Sequence, residues 1–376
     1  MAIAASLRGT VASVNLGAIQ SNVRRLLQVI GPDVALMAVV KADGYGHGAL
    51  PVAQAALAAG ARWLGVAMAE EGIELREAGV QAPILVLGPN NREQLAAAIR
   101  YRLDVVVYSP ESLEWVIEAA QEVDREARVH LKLDTGMGRI GIPAAGLDEA
   151  WLERLSHPRI VWQGLMSHLA DADQDDPASS REQLKRFLDA VEWLRQKRGS
   201  LPPWLHLANS AATLRWPGMH FNLVRVGIAL YGIDPLPGEW GLRPALSWYS
   251  RIAMIKAVEP GTSQGYGRTY RARTAERWAT IPVGYADGYL RGLSNQAAVL
   301  IGGYRCPVIG RVSMDQLVVR LPEALDAHVG DRVTLLGDDG EERLTANHLA
   351  EWAGTIGYEI VTRIGTRVPR EYLEDR

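Results

Sequence analysis

Lys41 closes an apolar run, "ALMAVVK" (residues 35–41), and "ADGYGHGA" follows it at once. A lysine that ends a buried strand and opens into a glycine-rich turn puts an amine at the mouth of whatever the strand lines. Once its charge is disfavoured, such an amine is a base, or a nucleophile toward carbonyls. A solvated surface charge is the bland alternative. Several other short apolar runs also end in polar groups. "RVHLKLD" carries Lys132, and "DTGMGRIG" brings Arg139 behind it. "IVWQGLMSH" ends in His168, "WLHLAN" in Asn209 with Ser210 next, and "LVRVGIA" holds Arg225 before Gly227 and Ile228.

A helix start exposes unpaired N–H groups and a positive dipole end, so "ANSAATL" reads either as an N-cap or as an anion cradle. The glycine after the neighbouring strand favours the anion. An amine held near a bound phosphate suggests Schiff-base chemistry with pyridoxal phosphate, which carries an aldehyde and a phosphate on one small ring.

For these groups to meet, their strands must lie side by side with the same ends together. About eight nearly continuous apolar runs alternate with helical stretches such as "NREQLAAAIRY" and "ESLEWVIEAAQEV" up to about residue 232. Strands buried on both faces, with helices between them, imply a parallel sheet. Eight βα units favour a (β/α)₈ TIM-like barrel, whose chemistry collects at the carboxyl ends of the strands. Beyond residues 235–244, "PLPGEWGLRP", the texture changes to β runs with Gly and Pro turns, interrupted by one helix, "LTANHLAEWAG", with Thr345 as its N-cap. The division expected is an α/β barrel over 1–240 and a mostly β domain over 241–376. The first 10–15 residues are candidates to pair with the second domain.

Composition narrows the function. With 376 residues, a formal charge of −3 and one cysteine, Cys306, the chain has no basic field for nucleic acid and no intramolecular disulfide. Cys306 reads as a small apolar residue. No basic n-region leads into an apolar start, and no apolar run would span a bilayer, so a reducing cytoplasm is the expected location. "GMGRIG" (136–141) fits a dinucleotide fingerprint by letter, but Pro143 and Gly146 follow where a helix should open. No G-K-[ST] sequence occurs. His168, Asp171 and Asp173 lack a metal-site spacing, and no metal is expected.

"AVVKADGYGHGA" resembles the cofactor-lysine motif of alanine racemases, fold-type III pyridoxal-phosphate enzymes. The resemblance continues in register through "LKLDTGMGRIG", "HLANSAA", "VRVGIALYG", "QGYGRTYRA", "IPVGYADGY", "GRVSMDQLVV" and "GYEIVTRIGTRVPREY". It implies a barrel, a β domain and a head-to-tail homodimer with shared active sites. It implies that Lys41 holds pyridoxal phosphate and is one of two acid/base groups, the other being Tyr266 from the partner subunit. Inverting a tetrahedral carbon requires a proton to leave one face and another to arrive on the opposite face, so two groups must flank it.

The same resemblance hydrogen-bonds Tyr266 to His168, and His168 to Arg225. Arg225 would face the cofactor's ring nitrogen, where a permanent donor makes the ring a weaker electron sink than a carboxylate would. Arg139 would hold the cofactor's phenolic oxygen and the substrate carboxylate, fixed by Lys132 as a carbamate; an unmodified Lys132 would leave two cations needing a partner such as chloride. Tyr45, Tyr358, Asn209, Ser210, Gly227 and Ile228 would serve the cofactor phosphate. Met314 and Asp315, from the partner chain, would shape the small alanine pocket, and Ser313 stands where some relatives have a cysteine. Asp173, Tyr285 and Arg291 would line the substrate passage. The reaction implied is racemisation of L- and D-alanine, supplying D-alanine for peptidoglycan. A serine racemase and a non-catalytic cofactor-binding barrel are the alternatives, the latter disfavoured by the second domain and its tyrosine.

Overall fold

The structure, a computed structural model, describes residues 7–374, and residues 1–6 of the segment expected to pair with the second domain lie outside them. The chain forms two compact units interleaved in sequence. One comprises Ile19–Gly44 and Ala49–Leu242; the other takes the residues up to Ala18, Tyr45–Gly48 and everything from Arg243.

In chain order the first strands are β1 (Val11–Asn15), β2 (Ala35–Val39), β3 (Trp63–Val66), β4 (Ile84–Val86), β5 (Asp104–Val107), β6 (Ala127–Asp134), β7 (Ile142–Pro143), β8 (Ile160–Met166), β9 (Trp204–His206) and β10 (Leu223–Val226). Eight of them pair in parallel in the order β10-β2-β3-β4-β5-β6-β8-β9, with the two-residue β7 beside β6. Between β9 and β10 a single backbone bond, Arg225 N–H to the Ala208 carbonyl (3.0 Å), nearly closes the ring. The expected eight-stranded TIM-like barrel is present.

Alternation along each strand decides which residues look inward. Ala35, Met37, Trp63, Leu85, Val106, Met166 and Leu223 come from six strands and pack as one buried cluster. Each of the larger aliphatic side chains contributes about 1.5–3 kcal/mol by leaving water. The residues between them are buried as well, all five along β2 and all four along β3, β5 and β10, under the surrounding helices. Counting by twos from Ala35 reaches Met37, Val39 and then Lys41, so the column that fills the barrel ends in the amine. On β6 the same count aligns Arg128, His130, Lys132 and Asp134.

In the other unit β1 runs antiparallel to Leu246–Arg251 and parallel to Arg370–Leu373, in a sheet that also contains Arg332–Asp339, Ala298–Ile301 and Tyr304–Pro307. A three-stranded sheet, Met254–Val258, Glu276–Ile281 and Leu317–Leu321, packs Trp278 with Val258, Ala272 and Ile309. Arg8 pairs with Asp287, whose carboxylate is fully buried and also accepts from the Gly284 N–H. Thr345 caps the helix Ala346–Ala353, its hydroxyl accepting from the His348 N–H. A second short helix, Gly357–Thr362, sits where the β-rich texture announced none.

Candidate active site

After Val40 the backbone turns left-handed: φ is +52° at Ala42, +51° at Asp43, +59° at Gly44 and +52° at Tyr45. Non-glycine residues in that region cost on the order of 1–2 kcal/mol each, and such strain persists only where surrounding bonds over-determine it. Two carboxylates supply those bonds. Asp43 accepts the Ala49 N–H at 2.8 Å. Glu71, in the first turn of helix Ala69–Glu77, accepts the Ala42 N–H at 2.6 Å and the Ala67 N–H at 2.7 Å. The residue after Lys41 is thereby tied to the loop that follows β3. Glu71 was not legible in the sequence, because a first-turn glutamate is commonplace and nothing in the letters says that it reaches back to residue 42.

Around Lys41 the barrel unit gathers cations. Burial and the neighbouring Arg139 lower the Lys41 pKa, with Glu71 opposing them. Burial, then Arg225 and Arg139, bring the Lys132 pKa down to about 8. Burial and the same cations hold His168 well below the usual histidine range, so its imidazole is neutral at pH 7. Arg139 itself lies exposed on the 136–141 loop, where Asp134 accepts the Gly136 and Gly138 N–H groups. That loop leads into β7 rather than a helix, which removes the dinucleotide reading.

Arg225 is the organiser. It is 4 % exposed, and burial lowers its pKa to about 10, which leaves it a cation at pH 7. Nη1 donates to the His206 carbonyl (2.9 Å) and to His206 Nδ1 (3.2 Å). Nη2 donates to the carbonyls of Ser167 (2.7 Å) and Leu207 (3.2 Å) and to His168 Nδ1 (3.1 Å). Gln183, on helix Ala178–Arg198, donates to the His168 carbonyl at 3.0 Å and accepts from the Ala170 N–H at 2.9 Å, fixing the end of β8.

Asn209 caps the helix Ser210–Arg215 by accepting the Ala212 N–H at 3.1 Å. The Ser210 hydroxyl accepts from the Gly227 N–H at 3.0 Å, so the ends of β9 and β10 meet there, with buried Ile228 next. The structure thus brings together Lys41, Lys132, Arg139, His168 and Arg225 in one electrostatic cluster, and Asn209, Ser210, Gly227 and Ile228 in another corner of the same unit.

The remaining expected residues belong to the second unit, apart from Asp173, which lies exposed in the barrel unit. Tyr45 packs its ring 6.1 Å from that of Tyr358. Burial, then Tyr358, push the Tyr45 phenol up. Tyr266 opens a short turn after Gly265 and is 71 % exposed; Gly265 needs φ = +67° there. Met314 is 53 % exposed, and its carbonyl accepts from the Ala286 N–H just as that of Ser313 accepts from exposed Tyr285. Asp315 pairs with Arg367 at 2.8 Å, and Arg291 is exposed on a short turn of its own.

One simple consequence can be checked. Replacing Glu71 with Gln removes the anion that opposes the depression of the Lys41 pKa, so the amine should lose its proton at still lower pH. The acid limb of the activity–pH profile should move to lower pH. A glutamate that merely caps the backbone would lower the melting temperature and leave that limb in place.

Comparison with known proteins agrees along the length of the chain. The family models "Alanine racemase, N-terminal domain" and "Alanine racemase, C-terminal domain" match residues 14–235 and 245–372. An alanine racemase of Symbiobacterium thermophilum is 47 % identical over 97 % of both chains, and one of Geobacillus stearothermophilus is 42 % identical over 98 % of this chain and 95 % of its own. Among solved structures, the alanine racemase of a D-cycloserine-producing Streptomyces lavendulae superposes with a TM-score of 0.92 at 42 % identity, covering 98 % of each chain. That of Bacillus anthracis with bound L-Ala-P gives 0.89 at 42 % identity, covering 97 % of this chain and 95 % of its own. The chain belongs to the alanine racemase family.

Proposed function

We propose that this protein interconverts L- and D-alanine with pyridoxal phosphate as cofactor, and that the product feeds peptidoglycan synthesis in the cytoplasm. The observation that carries the reading is the buried Arg225–His168 pair beside a lysine whose charge is disfavoured, at the end of the column that fills a barrel.

The donor set fits the cofactor. Both Nη atoms of Arg225 are spent on protein acceptors, while its Nε makes no hydrogen bond among the described residues and is available to an unprotonated ring nitrogen. Arg139, beside Lys41 and Lys132, would hold the phenolic oxygen and a substrate carboxylate. Ser210 and the Gly227 amide, together with Asn209, Ile228, Tyr45 and Tyr358, would hold the phosphate. When bound, pyridoxal phosphate supplies an electron sink for the Cα–H bond that breaks.

The protein's own part is to place two proton carriers on opposite faces. Lys41, with its lowered pKa, takes up or returns a proton at Nζ on one face. Tyr266 of a partner subunit serves the other face through its hydroxyl, with His168 as its hydrogen-bond partner. Met314 and Asp315 from the partner subunit would shape the small pocket, and Asp173, Tyr285 and Arg291 would line the entry passage. Support for a shared site comes from Tyr266, Tyr285 and Met314, large apolar side chains left exposed in one unit, as surfaces that pair with another subunit are. At a pKa near 8 a useful fraction of Lys132 is neutral at physiological pH, the form that adds carbon dioxide to become a carbamate.

The direct test incubates the purified protein with enantiopure L-alanine and follows D-alanine by chiral chromatography, with borohydride and peptide mapping to locate the cofactor. D-alanine formation and reduction at Lys41 support the reading. Failure to form D-alanine refutes it.

In homodimers that share sites, mixing Lys41→Ala and Tyr266→Phe subunits should rebuild one intact site per heterodimer. Complete subunit exchange would then restore about a quarter of the wild-type rate. No recovery after verified exchange would place both groups in one chain.

A further inference from the structure

Beyond Arg225, a line of buried polar side chains crosses the barrel interior away from the substrate end. His206 Nε2 lies 2.8 Å from His130 Nδ1. His130 Nε2 faces Asp104 Oδ2 at 3.4 Å, an ion-pair contact outside hydrogen-bond geometry, and neither atom has a hydrogen-bond partner among the described residues. Asp104 Oδ1 accepts from Arg128 Nε at 2.9 Å, near the start of β5 and β6. His130 and His206 are fully buried and Asp104 is 1 % exposed. Room for the imidazole has been left deliberately open on β8, because a Cβ on Gly164 would stand 2.2 Å from His130 Nδ1.

Only one arrangement of protons satisfies this line. A guanidinium can only donate, so His206 Nδ1 and His168 Nδ1, both facing Arg225, must be acceptors. A neutral His206 then carries its proton on Nε2 and donates it to His130 Nδ1. His130 in turn carries its proton on Nε2, toward the Asp104 carboxylate. His168 likewise keeps its proton on Nε2, on the far side of its ring from Arg225.

We propose that Asp104 and His130 are positioning residues for the racemase reaction: by fixing the tautomer of His206 they hold the Arg225 guanidinium in the orientation that leaves its Nε available and sets the proton of His168. The proposal rests on the function given above for Arg225, whereas the tautomers themselves do not. An unpaired His206 Nε2–H in this apolar interior would be costly, and its ring would turn or shift toward another acceptor. Arg225 would lose one of the five contacts that together fix its plane, the one to His206 Nδ1. Partners in a second layer of this kind typically alter a site's performance by about 10–100-fold.

The test has two arms. Neutron diffraction from crystals of the full-length protein locates the deuterons on the imidazoles. The expected pattern is Nε2–D on His206, His130 and His168; a deuteron on His206 Nδ1 overturns the proposal whatever the activity. In the second arm His130→Phe removes the acceptor while keeping a flat ring, and His130→Gln restores an acceptor through its side-chain carbonyl.

His130→Phe should lose about 10-fold or more in kcat with the KM for alanine within about twofold, and His130→Gln should recover most of that loss. Asp104→Asn, whose amide can donate to His130, should fall with His130→Phe. Equal kcat losses in the Phe and Gln variants, or none in either, would reduce the line to core packing. If wild-type protein shows the expected deuterons but makes no D-alanine, the functional reading fails alone. If it is active with the opposite tautomer, the positioning proposal fails alone.

Discussion

Lys41→Ala protein will retain its fold and lose racemisation by at least about 10⁴-fold, because one substitution removes both the covalent anchor and a proton carrier. The fold should survive because the backbone bonds that hold the left-handed turn come from Glu71 and Asp43 rather than from the lysine side chain. The lost side chain does not stabilise the barrel as a cation: burial already disfavours its charge. Circular dichroism and thermal melting should therefore match wild type, while chiral assay shows no product. A small external amine that restores exchange of the alanine α-hydrogen, but not the wild-type rate, would locate the defect at the amine itself. Wild-type turnover in Lys41→Ala would end the proposed mechanism.

Tyr266→Phe makes a subtler separation. L- and D-alanine are equal in free energy in achiral water, so no variant can make kcat/KM differ between the two directions. Racemisation should drop by about 10²–10⁴-fold in both, the usual contribution of one acid/base group. The asymmetry appears instead in isotope exchange. In D₂O one enantiomer, whose α-proton faces Lys41, should still exchange it and be returned without inversion. The other should exchange slowly, since its proton faces the missing hydroxyl. Exchange lost equally from both enantiomers would show that Tyr266 does not serve a single face.

The sequence alone determined the barrel and the list of groups at its substrate end. Eight near-continuous apolar runs separated by amphipathic helices admit few architectures, and alternation by two carries "ALMAVVK" from the core to Lys41 without further information. The N-cap at Thr345 was legible outright and that at Asn209 as one of two readings, because a side chain bonding three residues along its own chain is a local event. The family followed from motifs kept in order, and both family models cover the chain as that order implied.

Beyond the terminal pairing and the Tyr266–His168–Arg225 contacts that the resemblance implied, the letters did not contain the pairings between residues distant in sequence. β1 lies outside the barrel, in keeping with the expectation for the first 10–15 residues, but nothing local named its two partners, Leu246–Arg251 and Arg370–Leu373. Tyr45–Gly48 belongs to the other unit although Lys41 is only four residues away. Glu71 and the line Asp104–His130–His206 look like ordinary helix and strand residues until parallel strands bring positions 76 residues apart within 2.8 Å. Even the tautomers follow from one buried guanidinium that can only donate. Tertiary structure decided these points because electrostatic pairing depends on distance through space, and a strand's neighbours are chosen by the burial of the whole chain rather than by its own residues.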